Sequence, residues 1–184
     1  MKGGQHMSRD AYDEDKTTEL ILYIAVQTEE DPTAGATKLN KILYFSERSH
    51  LHRYGKPIVD ADYQKLPQGP GLRRMLPIID RLERAGDARL VERDYFGNTQ
   101  KRLLALRDPD LSMFAAEEIA SVDRIIRQFW GQTAKMTSEL SHEDAGWLAV
   151  EEGQSIPLSM AFIGEPEVTE HMRMRARELA NESS

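Results

Sequence analysis

Four consecutive apolar or aromatic residues, Ile42 to Phe45, lie within a stretch that otherwise mixes polar and apolar positions. At about 100° per residue, four such side chains cover roughly 300° of a helix's circumference. A surface helix shows one apolar stripe, whereas a helix that is apolar nearly all round is buried. The pattern therefore predicts a central, buried helix over residues 37–54, which ends at Gly55 and is kept from resuming by Pro57.

The segments on either side of this helix have weaker patterns. Thr17 or Thr18 is placed to cap a first helix that runs to about residue 30, with its apolar residues on one face. Residues 57–66 should be extended, and the β-branched pair Ile58 and Val59 favours a short strand there.

Prolines and glycines dominate residues 67–71 and predict a turn. Gly69-Pro70 then opens a predicted helix to about residue 85, because proline is tolerated in a first helical turn. Pro77 lies inside that helix and should kink or split it, since a proline removes a backbone N–H group.

The second half of the chain begins with a predicted hairpin, formed by strands 89–94 and 101–106 around a turn at 96–99. Asp110 or Ser112 caps a long predicted helix to about residue 130. Its predicted core face is Phe114, Ile119, Val122, Ile125, Ile126 and Phe129. The remaining predictions are a short helix over 133–140, a helix capped by Ser141, a turn over 157–162 and a charged helix over 168–180.

These elements predict a mainly α (α+β) fold. We expect a compact helical domain around the central buried helix, with a small antiparallel hairpin or three-stranded sheet, in the helix and strand order of a winged helix. Residues 1–7 are expected to be a leader added for expression, 8–16 a flexible N-terminus, 17–164 a single domain, and 165–184 a C-terminal helix and tail.

Composition narrows the class of protein. The chain has 184 residues, 40 % hydrophobic and 30 % charged, which is typical of a soluble globular domain. It has no cysteine, so disulfides and thiolate metal sites are excluded. No apolar run approaches the roughly 20 residues of a membrane helix, and no secretory signal is visible. We therefore expect a cytoplasmic protein.

Basic residues are concentrated in one part of an acidic chain. The net charge is −7, but residues 73–107 carry nine Lys or Arg and five acids, a local charge of +4. One interpretation is a winged-helix-type DNA-binding regulator, with the 69–85 helix in a groove and the hairpin as a wing. The other is a basic docking face for a protein partner, or simply a solvated face with local ion pairs.

Candidate catalytic and metal-binding groups are sparse. Glu47 and His50 could share one side of the central helix, but His50 and His52 point about 200° apart and cannot hold one metal ion there. His142, Glu143 and Asp144 resemble an acid–base cluster, although acids after Ser141 also suit a helix N-terminus. No nucleophile elbow, P-loop or dinucleotide motif is present. We expect no enzyme activity, no cofactor and no metal.

Two blocks of the chain resemble a known family. The first is KLNKILYFSERSHLHRYGKPI followed by DADYQKLPQGP, over residues 38–70. The second is LSHED with Trp147, followed by Ile156 and Pro157. Together they resemble the Panacea family, also called SocA-type antitoxin domains, which is related to phage-associated GepA-like proteins. In this resemblance His142 and Trp147 are a recurring pair, and we interpret them as an interaction or packing motif.

The resemblance implies a small antitoxin that binds and neutralises a protein toxin encoded by a neighbouring gene. A DNA-binding regulator and a phage-related or protease-adaptor protein remain alternatives. The stiff 67–70 turn is either a simple strand-to-helix connector or a contact to this partner, and the basic segment adds further predicted contacts. The predicted partner-binding set is Tyr63, Pro67, Gln68, Gly69, Pro70, Arg73, Arg74, Lys101, Arg102, His142 and Trp147.

Overall fold

The computed structural model describes residues 13–95 and 97–162. Its helices are α1 Glu14–Gln27, α2 Ala36–Tyr54, α3 Met75–Ala85, α4 Ala116–Phe129, α5 Ala134–His142 and α6 Ala145–Leu148, with 3₁₀ turns at Leu111–Met113 and Leu158–Phe162. Its strands are β1 Tyr63–Leu66, β2 Gly69–Leu72, β3 Ala88–Tyr95, β4 Asn98–Ala105 and β5 Ser155–Ile156. The predicted α+β, mainly helical class is confirmed.

Helix α2 is the centre of the fold, as its apolar run predicts. Ile42, Leu43 and Tyr44 are buried, and the helix packs against α1, α4, α5 and β2. The Tyr44 ring meets the Tyr63 ring edge to face at 5.3 Å between centroids. Phe45, which is only partly buried, meets Phe129 of α4 in the same way at 5.5 Å. Neighbours on several sides explain why the run from Ile42 to Phe45 is apolar nearly all round the helix.

The first helix begins earlier than Thr17 and Thr18 indicate. Asp13 is the cap, and its side chain accepts a hydrogen bond from the Lys16 N–H, so residues 14–16 belong to α1. The predicted leader over 1–7 and residues 8–12 of the predicted flexible terminus lie outside the described residues. The hydroxyls of Thr17 and Thr18 instead donate to carbonyl oxygens one turn back in the helix. Both threonines thus lie inside the helix, where a side chain cannot act as the N-cap.

Residues 69–72 are a strand, and the predicted helix start at Gly69-Pro70 is wrong. β2 pairs antiparallel with β1, and β5 adds a short third strand in the order β2-β1-β5. Helix α3 begins at Met75, so Pro77 lies in its first turn, where the missing N–H has no helical acceptor to lose. Pro77 therefore neither kinks nor splits the helix.

The predicted strand at Ile58 and Val59 is also wrong. Both side chains are buried, but their backbone N–H groups donate to the Glu47 carboxylate, at 2.6 and 3.0 Å, instead of to a strand. The Glu47 side chain of α2 thus satisfies the two buried backbone N–H groups, which need no hydrogen bonds from a neighbouring strand.

The second hairpin is confirmed, with β3 and β4 paired from Ala88–Ala105 to Tyr95–Asn98. Within the described residues it forms its own two-stranded sheet, while β1 belongs to the other sheet. The element order thus resembles a winged helix, while the second sheet pairs β1 with β2 and β5.

The helical second half follows the predicted core face and departs from the predicted caps. Val122, Ile125, Ile126 and Phe129 are buried, whereas Asp110 caps only the 3₁₀ turn before α4. The predicted Ser141 cap is wrong, because Ser141 lies within α5; Asp144 caps α6 by accepting from the Trp147 N–H. The 168–180 helix lies outside the described residues. Within the described residues, no helix is long and apolar enough to span a membrane.

Candidate functional site

The turn between β1 and β2 is held by two aromatic side chains from the corner between α5 and α6. Pro67 and Gln68 form the two-residue connection, and both side chains are exposed. Trp147 Nε1 donates a hydrogen bond to the Leu66 carbonyl oxygen at 3.2 Å. His142 Nε2 lies 3.1 Å from the Pro67 carbonyl oxygen and carries the proton there, because a carbonyl oxygen can only accept. We call these five residues the clamped turn.

The two aromatic rings of the clamped turn also support each other. The His142 and Trp147 rings stack with 4.4 Å between centroids and an interplanar angle of 23°. Lys65 places its ammonium 4.0 Å from the centroid of the Trp147 ring, and the same ammonium donates to the Val150 carbonyl oxygen. Stacking, a cation over the ring and a bonded indole N–H together restrict the rotamer of Trp147.

Lys41 lies beneath the turn and is almost wholly enclosed, with 2 % of its surface exposed. Its ammonium donates to the Pro70 carbonyl oxygen at 3.1 Å. Desolvation lowers the pKa of Lys41 from 10.5 to about 8. The buried Lys41 side chain thus connects α2 to the backbone of β2 at Pro70.

Gly69 leaves room for these groups to meet. Its φ is +103°, and a Cβ atom there would lie 2.1 Å from Ser141 Oγ and 2.7 Å from Lys41 Nζ. Asn40, next to Lys41, accepts a hydrogen bond from the Leu72 N–H at 2.8 Å. Residues 39–41 of α2 and residues 68–71 are therefore complementary. The polar side chains of the helix form hydrogen bonds to the backbone of a strand whose own side chains are small.

A second polar group fixes the α5–α6 corner itself. Asp144 is buried, pairs with Arg48, and accepts a hydrogen bond from the Tyr44 hydroxyl at 2.7 Å. Burial raises the pKa of Tyr44 to about 12, so this hydroxyl keeps its proton at neutral pH and remains a donor. The same carboxylate caps α6 through the Trp147 N–H at 3.0 Å. Two turns of α2 thereby set the position of Trp147.

A sequence comparison identifies the family to which this arrangement belongs. The family described as "Antitoxin SocA-like, Panacea domain" matches residues 39–148, more than half of the chain. The chain belongs to this family. No curated protein and no solved structure matches it.

The matched region of this Panacea domain contains the whole clamped turn and its supports. It begins at Leu39 in the first turn of α2 and ends at Leu148, the last residue of α6. The resemblance to the Panacea family is thereby confirmed, while Ile156 and Pro157 of the second block lie beyond the matched residues. In space, the two blocks are the two sides of one contact.

Six of the predicted partner-binding residues come together in or beside the clamped turn. Pro67 and Gln68 are exposed at its apex, His142 and Trp147 hold it, and Gly69 and Pro70 are buried below it. Arg73 is at the end of the same hairpin, where it pairs with Asp62 at 2.7 Å. Its guanidinium also donates to Gln64, Ser155 and the Gly153 carbonyl. Arg73 therefore ties β1 to the segment around β5.

Two further residues of the predicted partner-binding set lie in the interior. Tyr63 is fully enclosed, with its ring against Tyr44. Arg102 is 4 % exposed and donates to the backbone carbonyl oxygens of Thr28, Glu29 and Asp31. These carbonyls follow the C-terminus of α1, where unsatisfied acceptors favour a cation. Arg102 is therefore a buried cap for the α1–α2 loop, and a partner that leaves the fold intact cannot reach it.

The other basic residues predicted to form a docking face are largely paired with acids. Arg74 pairs with Glu14 at 2.8 Å, and Lys101 is exposed on β4 opposite Glu92. The remaining ion pairs of the basic segment join Arg81 to Glu14 and Asp15, Arg84 to Asp80, and Arg107 to Glu19 and Asp87. Five of the nine cations are thus paired with acids, while Arg89, Arg93 and Lys101 are exposed on the β3–β4 hairpin.

Glu47 and His50 are both buried in α2 but serve different contacts. The Glu47 carboxylate accepts the N–H groups of Ile58 and Val59, and burial raises its pKa to about 7. His50 Nδ1 lies 3.0 Å from Ser121 Oγ, and burial lowers the pKa of His50. In residues 13–95 and 97–162, no three His, Asp or Glu side chains are grouped as a metal site would need.

Sequence reasoning missed most of the residues that support the turn: Asn40, Lys41, Arg48, Lys65, and Asp144 in its role as partner of Tyr44 and Arg48. One signal was available. Asn40, Lys41 and Arg48 are polar positions close to the apolar run 42–45, on a helix that this run predicts to be buried. Polar side chains on such a helix need buried partners, and a proline- and glycine-rich strand exposes the backbone groups that can serve.

Proposed function

We propose that the protein is an antitoxin that binds a cognate protein toxin, encoded by a neighbouring gene, and neutralises it by direct contact in the cytoplasm. The observation that carries the proposal is the clamped turn. Its apex residues Pro67 and Gln68 point into solvent, while the carbonyl oxygens of Leu66 and Pro67 are bonded by Trp147 and His142.

A rigid, exposed apex suits recognition of another protein. A loop that is already ordered loses little conformational entropy on binding, so more of the contact energy appears as affinity. Pro67 restricts the backbone, and the Trp147 ring beside it is a rigid aromatic surface of the kind that dominates binding energy. Masking the toxin in this way requires no chemical step, and we propose that the protein is not an enzyme.

A DNA-binding regulator has less support. Five arginines of the basic segment, namely Arg73, Arg74, Arg81, Arg84 and Arg107, pair with carboxylates of the same chain. Phosphate contacts would have to compete with these pairs, and the net charge of −7 opposes approach to a polyanion.

Co-expression with each neighbouring reading frame tests the proposed function. Each frame is induced alone and together with this protein, and growth and co-purification are scored. We expect one frame to be toxic alone, to be tolerated with this protein, and to co-purify with it. Absence of any frame that is both toxic and rescued would contradict the antitoxin proposal.

A further inference from the structure

Exposed apolar side chains lie on α5 and α6 beside the clamped turn. Met136 and Leu140 are one helical turn apart on α5, with 52 % and 38 % of their surface exposed, and Leu148 on α6 is 60 % exposed. The same two helices supply His142 and Trp147, which contact the turn directly. Neighbouring large apolar side chains that remain exposed mark an interaction surface more often than isolated ones do.

Two glutamates share this side of α5. At about 100° per residue, Glu139, Leu140 and Glu143 fall within roughly 60° of the direction of Met136. Both glutamates are exposed, while Thr137 and Ser141 on the opposite side are buried. We call Met136, Glu139, Leu140, Glu143 and Leu148 the α5–α6 face.

The wider surroundings of the face are acidic. Among residues 133–162 the exposed charged side chains are Lys135 and the glutamates 139, 143, 151 and 152, a net charge of −3. Asp144 does not contribute, because it is buried against Arg48. Lys135 lies 3.9 Å from Glu139, so the one exposed cation in this range is already next to an acid. The α5–α6 side of the clamped turn is therefore acidic, whereas Lys65 and the Arg73–Asp62 ion pair lie on its hairpin side.

We propose that the partner docks on the α5–α6 face together with the clamped turn, and that it does so through a basic protein surface with an apolar centre. This inference rests on the proposed function and gives the chemistry of the toxin's contact surface. Leu140, Leu148 and the turn apex form the apolar centre, and Glu139 and Glu143 form an acidic rim. Complementary charge speeds encounter, and buried apolar contacts slow dissociation.

The same charge pattern disfavours a second copy of this chain as the occupant. A two-fold symmetric contact would place Glu139 and Glu143 of one copy near those of the other. Like charges brought together across an interface weaken it. A basic partner avoids this repulsion, because its cations would lie opposite the glutamates.

Charge reversal on the face, measured as an association rate, tests the inference. The toxin identified by rescue and co-purification is immobilised, and association of the full chain is followed at low and at physiological salt. The test variant is Glu139→Lys with Glu143→Lys. The control is Glu29→Lys with Glu30→Lys, which changes the net charge equally but lies in the α1–α2 loop. Lysines in the last turn of α5 are favoured by the helix dipole, and unchanged melting of both variants shows that they fold.

We expect the test variant to associate about tenfold more slowly at low salt, with a smaller effect at higher salt, and the control to stay within roughly twofold of the parent. Equal rates for both variants, or faster association of the test variant, would overturn the inference while leaving neutralisation intact. A parent protein that binds no neighbouring gene product would overturn the inference and the proposed function together.

Discussion

Lys41 is an ammonium group enclosed in the interior with a backbone carbonyl as its acceptor. Burial without a carboxylate partner destabilises the charged form, so its pKa falls to about 8. The same side chain holds the Pro70 carbonyl and touches the position where a Gly69 side chain would lie. The free-energy cost of burying the Lys41 ammonium therefore arises where the clamped turn joins the core.

Replacing this amine should remove a pH dependence of stability. Between about pH 8 and 10.5 the folded state has released the Lys41 proton while the unfolded state still holds it, so the free energy of unfolding rises with pH. Over that window the contribution is on the order of 3 kcal/mol. Lys41→Met should lack this rise, and urea unfolding of both proteins across the window measures the difference. Parallel stability curves would contradict the assignment.

Gly69 should tolerate no side chain. Gly69→Ala combines a positive φ with a Cβ atom 2.1 Å from Ser141 Oγ, and should cost about 3 kcal/mol or more of unfolding free energy. Gly97→Ala is the matched control, because Gly97 also has positive φ but nothing lies within 4 Å of its Cβ position. The control should cost only the backbone term of about 1–2 kcal/mol. Equal losses in chemical denaturation would show that the close contact does not matter.

At the scale of elements, α2 combines two roles that usually belong to different helices. Its apolar residues form the core with α1 and α4. Its polar residues bond β2, the 57–61 segment and the α5–α6 corner through Lys41, Glu47 and Arg48. Substitutions in the core face should therefore unfold the domain. Substitutions of the polar residues should instead shift the elements that these residues bond.

Truncation in the core face of α2 should be severely destabilising. Leu43 is fully buried, and Leu43→Ala should cost about 2–5 kcal/mol through lost burial and the cavity left behind. Leu106→Ala is the control, because Leu106 is exposed and should change stability by no more than about 0.5 kcal/mol. Thermal and urea unfolding report both values. A Leu43→Ala protein that melts like the parent would show that α2 is not the core element.

The elements that local pattern could predict are those whose burial follows helical or strand spacing. The apolar run of α2, the core face of α4 and the β3–β4 hairpin have such signals. Strand β2 has none, since Gly69, Pro70 and Gly71 disfavour a strand; it exists because β1 and Asn40 bond its backbone. The Arg102 position had no local signal either, because three carbonyls more than seventy residues earlier hold it in the interior.

At the scale of the molecule, the charge of a surface region depends on which residues the fold brings together, and it does not follow from the charge of one sequence segment. Five arginines of the basic segment pair with acids, including acids of α1, while the exposed side chains of residues 133–162 carry a net charge of −3. Composition alone could predict the local +4, but the placement of its partners depends on the fold. The place of Tyr63 also depends on the fold. In the sequence it lies close to the turn, but in the structure its side chain is in the core.

Binding to random duplex DNA at physiological salt should be weak. Most arginines of the basic segment are engaged in ion pairs and the chain as a whole is acidic, so few phosphates can be neutralised. Fluorescence anisotropy with a labelled duplex, repeated over a range of salt concentrations, measures this. Submicromolar affinity with a steep salt dependence would favour the DNA-binding regulator instead.

The central claim is that the apex of the clamped turn contacts the toxin. The most direct measurement is the dissociation constant of the purified complex for Gln68→Trp against Thr99→Trp, in which the same bulk is added on the exposed side of β4. A bulky side chain at the apex should weaken binding by a factor of roughly 30 or more, the size of a hot-spot loss, while the control binds like the parent. Parental affinity of Gln68→Trp would contradict the account.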